Sequence, residues 1–309
     1  MISTAYGCGN QVDLSELEVL VAVAQERGFS RAAARLHRTQ PAVSQAVRRL
    51  EEEVGAPLVD RSSKDGTLTA AGTLLQSFAL QMLNLRRDAQ AAVLDLAHLG
   101  RGKLSIAANE YTVTHLLPFL GLFRRRHPQV RVEVRRGLAS RIPMEVLGRE
   151  AELGVLTYRP TNPGLTVIPF AEDDLVLLVA SGHPLAGRKS VWIRELASES
   201  FLAHNVRSPN RERVVRTFEQ LRTPLNIAME LPTLEAVKRL VEEGLGVALM
   251  PRRAAEGEVA RGSLIAIRVP EMRIPRSVVL IHRKGVGLSH AATAFLSIAR
   301  GGEGPTARR

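Results

Sequence analysis

The 309-residue chain has little cysteine and no long apolar run. Its one cysteine, Cys8, excludes an internal disulfide and a two-cysteine redox switch. No apolar run approaches the ~18 residues of a membrane span. The opening stretch "MISTAYGCGNQVDL" also lacks the basic and apolar segments of a signal peptide. We therefore expect a cytoplasmic protein.

Motifs for catalysis and for cofactor binding are missing as well. The eight histidines are scattered without HExxH or paired-ligand spacing, and the sequence has no GxSxG or P-loop pattern. One dense carboxylate cluster follows residue 100, the "EDD" at 172–174, and we interpret it as a solvated loop before the strand-like run "LVLLVA". We expect no enzyme activity, no cofactor and no metal.

Positive charge is in excess, but its distribution matters more than its sum. The net charge is +11, yet residues 1–100 carry 10 basic and 11 acidic residues. Six arginines lie between Glu26 and Glu51 with no acidic residue among them: Arg27, Arg31, Arg35, Arg38, Arg48 and Arg49. Charge alone fits a solvated helix face as well as a surface for a polyanion.

The first third of the chain has helical periodicity. Apolar residues at helical spacing predict a first helix that starts at Leu14. Ser30 is predicted to cap a second, short helix, and Thr39 a third one with Pro41 in its first turn. Together these helices predict a helix-turn-helix arrangement.

The third predicted helix has two different faces. One is an apolar stripe of Val43, Val47, Leu50 and Val54, and the other brings together Gln40, Ser44 and Arg48. Gln and Arg side chains can pair with base edges in the major groove, and Ser and Arg also contact phosphates. We interpret the polar face as a surface that reads DNA.

A basic hairpin is predicted beside this helix. Asp65 and Gly66 form a tight-turn signal between two short strand-like pieces. Arg61 and Lys64 would then reach the DNA backbone or the minor groove.

From Ala70 to about Leu99 the sequence predicts one long helix. Apolar residues alternate spacings of three and four and form a seam: Leu75, Phe78, Met82, Leu85, Ala89, Ala92 and Leu96. Core packing against the preceding domain is the alternative, but we interpret the seam as a dimerisation surface.

After "GRGK" at 100–103, strands alternate with helices. The strand-like runs are "LSIAA", "VRVEV", "LGVLT", "LVLLVA", "FLAHN", "NIAMEL", "GVALMP", "LIAIRV" and "SVVLIH". This order is typical of α/β folds, and nine strands in about 200 residues fit two lobes better than one sheet.

Polar residues follow several of these strands, where open α/β sheets bind ligands. The candidate effector-binding residues are Asn109, Glu110, Tyr111, Thr112, Ser140, Arg141, Asn205, Arg207, Ser208 and Thr233. For each of them a plain helix cap without a ligand is the alternative. The arginines favour a small anion, whereas Glu110 would suit an amino group.

The span "ERGFSRAAARLHRTQPAVSQAVRRLEEEVGAPLVDR", with "LTAAG" and the long helix, resembles the N-terminal domain of LysR-type transcriptional regulators. The pieces "LLPFLGLFRRRHPQV", "HPLA" and "GLGVALMP" are similar to that family's effector-binding domain. The resemblance implies an α plus α/β chain: a winged helix-turn-helix with a long linker helix, then a two-lobed regulatory domain similar to periplasmic binding proteins. It also implies a homotetramer that binds promoter DNA and a small-molecule effector, and it admits RNA polymerase as a further partner.

Carried over residue by residue, the resemblance assigns recognition-helix positions to Gln40, Pro41, Ser44, Gln45 and Arg48. It assigns phosphate or minor-groove contacts to Arg38, Arg61 and Lys64.

The expected domains are a DNA-binding domain (12–69), a linker and dimerisation helix (70–100) and an effector-binding domain (101–300). Within the last, lobe 1 is expected at about 101–160 and 269–300, and lobe 2 at about 161–268. Two other interpretations stay open at this point: a solute-binding protein with a vestigial helix-turn-helix, and an enzyme that uses the α/β lobes.

Overall fold

A computed structural model of the chain describes residues 12–60, 65–97, 102–206, 208–272 and 276–301. Arg61, Lys64 and Arg207 lie outside the described residues. The chain divides into two compact units, Met1–Ala97 and His98–Arg309. In the described ranges, no helix is both long enough and apolar enough to cross a membrane.

The first unit is helical. Its helices are α1 (Leu14–Glu26), α2 (Phe29–Leu36), α3 (Gln40–Val54) and α4 (Ala70–Ala97). The three short helices enclose one apolar core, in which Leu17, Leu20, Val43 and Leu50 are fully buried. Burying a side chain of this size contributes about 1.5 to 3 kcal/mol, so this core is the main source of the unit's stability.

The two predicted helix caps have different outcomes. Thr39 is confirmed as the N-cap of α3, where its hydroxyl accepts a hydrogen bond from the Ala42 amide at 3.4 Å. The prediction for Ser30 is wrong, because α2 begins at Phe29 and its N-cap is Gly28. Phe29 packs against the apolar core, so packing starts this helix earlier than capping chemistry indicates.

The predicted wing follows α3. Val59 and Leu68 form an antiparallel bridge, and the Asp60 amide donates to the Thr67 carbonyl at 2.8 Å. Gly66 in the turn has a φ of 61°, and a Cβ added there would lie 3.0 Å from the Gly28 nitrogen. Only glycine fits this close approach without strain.

The buried carboxylate of Glu51 fixes the wing to the end of α3. It accepts hydrogen bonds from the amides of Leu58 at 2.8 Å and Val59 at 3.3 Å. The neighbouring Glu52 is exposed. The first acid of the "EEE" block is therefore structural, and it holds the strand beside α3.

Helix α4 has two apolar faces. Ala79 and Leu83 are buried in the core of their own unit, and Leu75 packs against that core. A second stripe is exposed: Leu74, Phe78, Met82, Leu85 and Val93. The predicted seam is corrected at Leu75, which faces its own unit, and Leu74 takes its place on the exposed stripe. The side chains of Ala92 and Leu96 lie outside the described part.

The second unit alternates strands and helices. Its elements are β1 (Lys103–Ala108), α5 (Glu110–Arg126), β2 (Arg131–Arg136), α6 (Ile142–Leu147), β3 (Leu153–Leu156), β4 (Leu165–Asp173), β5 (Leu175–Ala180), β6 (Phe201–His204), α7 (Pro209–Gln220), β7 (Ile227–Leu231), α8 (Leu234–Glu242), β8 (Ala248–Pro251), α9 (Glu256–Arg261), β9 (Leu264–Arg268), β10 (Arg276–Arg283) and α10 (His290–Arg300). A short 3-10 helix, Arg252–Ala255, follows β8.

These elements form two lobes, each with its own sheet. Lobe 1 has the strand order β2-β1-β3-β10-β4, with β1 parallel to both its neighbours. Lobe 2 contains the sheet β8-β5-β9 and the parallel pair β6-β7, which a bridge between Phe201 and Val247 connects to β8. The chain passes between the lobes from β4 to β5 and again from β9 to β10.

All nine predicted strand-like runs contain a strand, but β4 was not predicted. Pro169 lies in the middle of β4, and a residue that cannot donate a backbone hydrogen bond argues against a central strand. The structure places β4 at the sheet edge, with a register shift between Val278 and Val279 opposite Pro169. Because β4 belongs to lobe 1, the predicted boundary near residue 161 moves to Asp174.

Replacing Glu51 by alanine should destabilise the first unit by about 1 to 3 kcal/mol, because two buried amides lose their acceptor. Urea denaturation followed by circular dichroism measures the change. Glu52→Ala is the matched control and should leave the midpoint where it is. Equal midpoints for the two variants would mean that Glu51 does not hold the wing.

Candidate nucleic-acid interface and interlobe cleft

A concave surface that encloses a volume of about 510 Å³ lies between α2, α3 and the wing of the first unit. Gln40, Ser44 and Arg48 line it together, because the opposite face of α3 is buried in the core. Further lining residues are Arg27, Gly28, Phe29, Ser30, Arg31, Val47, Glu51, Val59, Asp60 and Asp65. Three predicted DNA contacts, Arg38, Pro41 and Gln45, are exposed but do not line this surface.

The six arginines between Glu26 and Glu51 do not share one role. Arg49 donates to the buried carboxylate of Glu16 at 2.6 Å, and this hydrogen bond raises the pKa of Arg49. Arg35 pairs with Glu26 at 3.0 Å. These two arginines hold helices together inside the unit.

Arg31 is also occupied locally, since its guanidinium donates to the backbone carbonyls of Glu26 and Arg27. Within the described ranges, the structure records no ion pair for Arg27, Arg38 or Arg48. Fewer than six arginines of this segment are thus free to bind a polyanion. Arg48 is one of them, and it lies at the centre of the polar face.

The second candidate site is the cleft between the two lobes. A cavity of about 30 Å³ remains there, lined by Asn109, Glu110, Tyr111, Arg136, Gly137, Leu138, Ala139, His204, Val206 and Ser208. Four of the ten predicted effector-binding residues are among them: Asn109, Glu110, Tyr111 and Ser208. Because metabolite pockets usually measure about 300 to 1,000 Å³, this cavity is too small for a metabolite.

Other predicted cleft residues have local structural contacts. Thr112 is fully buried and forms a reciprocal capping box with Asn109, with hydrogen bonds of 3.0 and 2.9 Å. The Thr233 hydroxyl caps α8 by accepting from the Ala236 amide at 3.1 Å. In both cases the alternative of a plain helix cap describes the observed contacts.

Three more predicted residues lie away from the 30 Å³ cavity. Ser140 and Arg141 are exposed at the start of α6, and neither lines it. Asn205 instead lines an open groove on lobe 2 together with Arg211 and Glu230. The residue after a strand end can point to either side of the sheet, which the strand pattern alone does not determine.

Sequence reasoning missed His204, the last residue of β6. Its buried ring lies edge-on to Tyr111, with the ring centroids 5.7 Å apart. Its Nδ1 accepts from the Val206 amide at 3.2 Å, so the proton of the neutral ring lies on Nε2 and faces Glu110 Oε2 at 3.2 Å. The signal available was its place at the strand end in "FLAHN".

Glu110 contacts the opposite lobe through both carboxylate oxygens. Oε1 accepts from the Leu234 amide at the start of α8, at 2.7 Å, and Oε2 faces His204. The guanidinium of Arg136 lies 3.8 Å from Oε2 and is mostly exposed. In this arrangement the carboxylate binds hydrogen-bond donors of lobe 2.

The "EDD" cluster is not the solvated loop that the sequence predicted. Glu172 and Asp173 belong to β4, and the buried carboxylate of Asp173 lies 2.9 Å from Nε2 of the buried His115. Its other oxygen accepts from the Arg253 amide at 3.4 Å. Arg253 Nε also donates to the Thr114 carbonyl at 3.4 Å, so this cluster joins both lobes beside a chain crossing.

Two family models match the chain. Residues 14–73 match "Bacterial regulatory helix-turn-helix protein, lysR family", and residues 97–302 match "LysR substrate binding domain". The first match covers the helices that form the concave surface. The second covers both lobes and the cleft.

Curated relatives are named as transcription regulators. A "Probable RuBisCO transcriptional regulator" of Cyanophora paradoxa is 33% identical over 289 residues, 91% of this chain and 89% of the relative. The "RuBisCO operon transcriptional regulator" of Allochromatium vinosum is 30% identical over 285 residues, 92% of this chain and 94% of the relative.

Solved structures share the fold. CbnR, a LysR family transcriptional regulator, superposes with a TM-score of 0.70 at 22% identity and covers 93% of this chain and 98% of its own. ArgP from Mycobacterium tuberculosis gives a TM-score of 0.66 at 25% identity, with 94% and 97% covered. CbnR is also solved in complex with its target DNA.

Replacing Asp173 by alanine should destabilise the second unit by about 2 to 3 kcal/mol, because the buried His115 loses a charged partner. Thermal unfolding measures the shift. Glu172→Ala removes the neighbouring, exposed acid of the same strand and serves as the control. If both variants melt at the same temperature, the His115 contact does not stabilise this junction.

Proposed function

The chain belongs to the LysR family of DNA-binding transcriptional regulators, and we propose that a small anion in its interlobe cleft controls its action at a promoter. The DNA-binding part of the proposed function rests on one observation, that Gln40, Ser44 and Arg48 lie together on one concave face of the first unit. These side chains offer donors and acceptors for base edges, with Arg48 as the charged member. The buried opposite face of α3 fixes their orientation.

The effector half rests on the donors that converge on the cleft. The start of α8 presents backbone N–H groups, which favour anions, and His204 adds a ring N–H beside them. A carboxylate already occupies this position, so the chemistry suits a carboxylate or a phosphate group. Entry of such a ligand requires the lobes to open, because the present cavity is only about 30 Å³.

The names of the relatives favour one class of target. Both curated relatives described above are named as RuBisCO or RuBisCO operon transcriptional regulators, and each aligns over about nine-tenths of this chain. We propose a RuBisCO operon as the target. Genome-wide mapping of bound DNA tests it, and a set of binding sites without RuBisCO genes would contradict it. Cytoplasmic location and contact with RNA polymerase stay predictions.

Arg48→Ala should weaken binding to the specific promoter by about 1 to 3 kcal/mol, the scale of one bidentate base contact, and should relax sequence preference. Gel-shift titrations at several salt concentrations measure both effects. Arg87→Ala is a charge-matched control, because it removes one exposed arginine of α4 outside the concave surface.

Equal affinities of the two variants would contradict the assigned docking face. Binding of small anions without any specific duplex would favour the alternative, a solute-binding protein with a vestigial helix-turn-helix. That alternative predicts no sequence preference at all.

We also propose that two copies pair through the exposed stripe of α4. Leu74, Phe78, Met82, Leu85 and Val93 leave about half or more of each side chain in solvent, and a contiguous apolar stripe of this kind marks an interface. A second pairing through other surfaces would give the homotetramer that the family resemblance implies.

Met82→Glu combined with Leu85→Glu should reduce the assembly to a smaller species, because unpaired carboxylates would be buried across the seam. Analytical ultracentrifugation gives the mass. The control places the same charges at two exposed polar positions of α4, Ser77→Glu with Gln90→Glu, and should keep the native mass. A native mass for the Met82/Leu85 variant would place the dimer contact elsewhere.

A further inference from the structure

Helix α8 begins with amides that its own backbone cannot satisfy. Its N-cap residue, Thr233, serves one of them, because its hydroxyl accepts from the Ala236 amide. The amide of Leu234 is different, because its acceptor is a carboxylate 124 residues away in sequence and on the other lobe. An element of lobe 2 is thus completed by a side chain of lobe 1.

We propose that Glu110 is a latch that holds the two lobes closed when no effector is bound. Its carboxylate takes the place of a bound anion: Oε1 lies 2.7 Å from the Leu234 amide, and Oε2 lies 3.2 Å from His204 Nε2. Both donors belong to lobe 2, so lobe opening breaks both contacts together. The inference deepens the proposed function, since it rests on the cleft being the effector site.

The residues around Glu110 fix His204 as the donor and anchor the start of α5 in lobe 2. His204 can donate from Nε2 because its Nδ1 is occupied by the Val206 amide, and its ring is buried. Tyr111, the next residue of α5, packs against the apolar cluster of lobe 2 and against the His204 ring. The start of α5 therefore enters lobe 2 with one charged and one aromatic side chain.

The latch also explains why a carboxylate occurs at this point of an anion-accepting cleft. An acid among the residues that line an anion site would repel the ligand if it stayed there. Here the acid occupies the donors itself, and it lines a cavity of only about 30 Å³. Any anion that binds to the start of α8 has to replace the Glu110 carboxylate, which opens the contact between the lobes.

Hydrogen–deuterium exchange of the full-length protein, read by mass spectrometry, tests the latch without knowledge of the effector. Glu110→Ala removes the acceptor, so exchange in peptides that contain the Leu234 amide should become faster by about tenfold or more, the scale of one hydrogen bond to a charged acceptor. Glu110→Gln can accept from only one of the two donors and should give an intermediate rate. Peptides from β5, in the core of lobe 2, should keep their wild-type rates.

The matched control is Glu235→Ala. It removes a carboxylate from the first turn of the same helix, but Glu235 pairs only with Lys238 and Arg239 of α8 in the contacts recorded for it, at 3.0 and 3.1 Å. In this variant the Leu234 amide should exchange at the wild-type rate.

Unchanged exchange in Glu110→Ala, or an equal rise in Glu235→Ala, would overturn the latch. If β5 peptides also exchange faster in Glu110→Ala, the Glu110→Gln variant decides, because it keeps the size of the side chain: a wild-type rate at Leu234 overturns the proposal, and a local rise supports it. Gel shifts of the wild type report separately on the proposed function. If the wild type does not bind DNA, the exchange result for the latch still stands. If the latch is absent, DNA binding is unaffected.

Discussion

The regulatory unit depends on one constraint, that the chain passes between its two lobes twice and at neighbouring places. One crossing follows Asp173 at the end of β4, and the other connects β9 to β10. Two tethers leave a hinge motion as the accessible movement of one lobe against the other. The contacts across the cleft then set the hinge angle, and under the proposed function their polar groups are the ones that an effector replaces. His115, Asp173 and Arg253 sit beside the tether, whereas Glu110 and His204 line the cleft.

In the DNA-binding unit, buried carboxylates hold the helices and the wing in place. Glu16 and Glu51 are buried acids, and each is bound by donors from another element: Arg49 of α3 holds Glu16 of α1, and the wing amides hold Glu51. Buried carboxylates are tolerated only when they are paired in this manner. These contacts fix α3 relative to α1 and the wing, so that Gln40, Ser44 and Arg48 stay aligned without support from DNA. A charge count over the segment cannot separate these internal arginines from the exposed ones.

Local patterns predicted most of the fold, and long-range contacts account for what was missed. Periodicity located the four N-terminal helices and nine of the ten strands, because each of these segments carries its own apolar pattern. It failed at β4, where Pro169 breaks the strand pattern and only the edge position with its bulge makes a strand tolerable. Four of the ten residues predicted for the cleft line its cavity of about 30 Å³, yet the bond from Glu110 to Leu234 spans 124 residues. No local signal marks such a pair, whereas His204 had one in its place at the end of β6.

The energetics of such a cleft follow from what the ligand replaces. An effector shifts the equilibrium between closed and open lobes only by the difference in its affinity for the two forms. If the start of α8 were empty in the unliganded protein, an anion would gain the full interaction with Leu234 and His204. Because Glu110 already makes these contacts, an anion that replaces it gains only the difference between its own interaction free energy and that of the Glu110 carboxylate. A ligand with a single weakly bound carboxylate would therefore act poorly here, and a ligand with more charge, or with further contacts to both lobes, would be selected. Under the proposed function, the carboxylate that holds the lobes together thus also contributes to the specificity of the cleft.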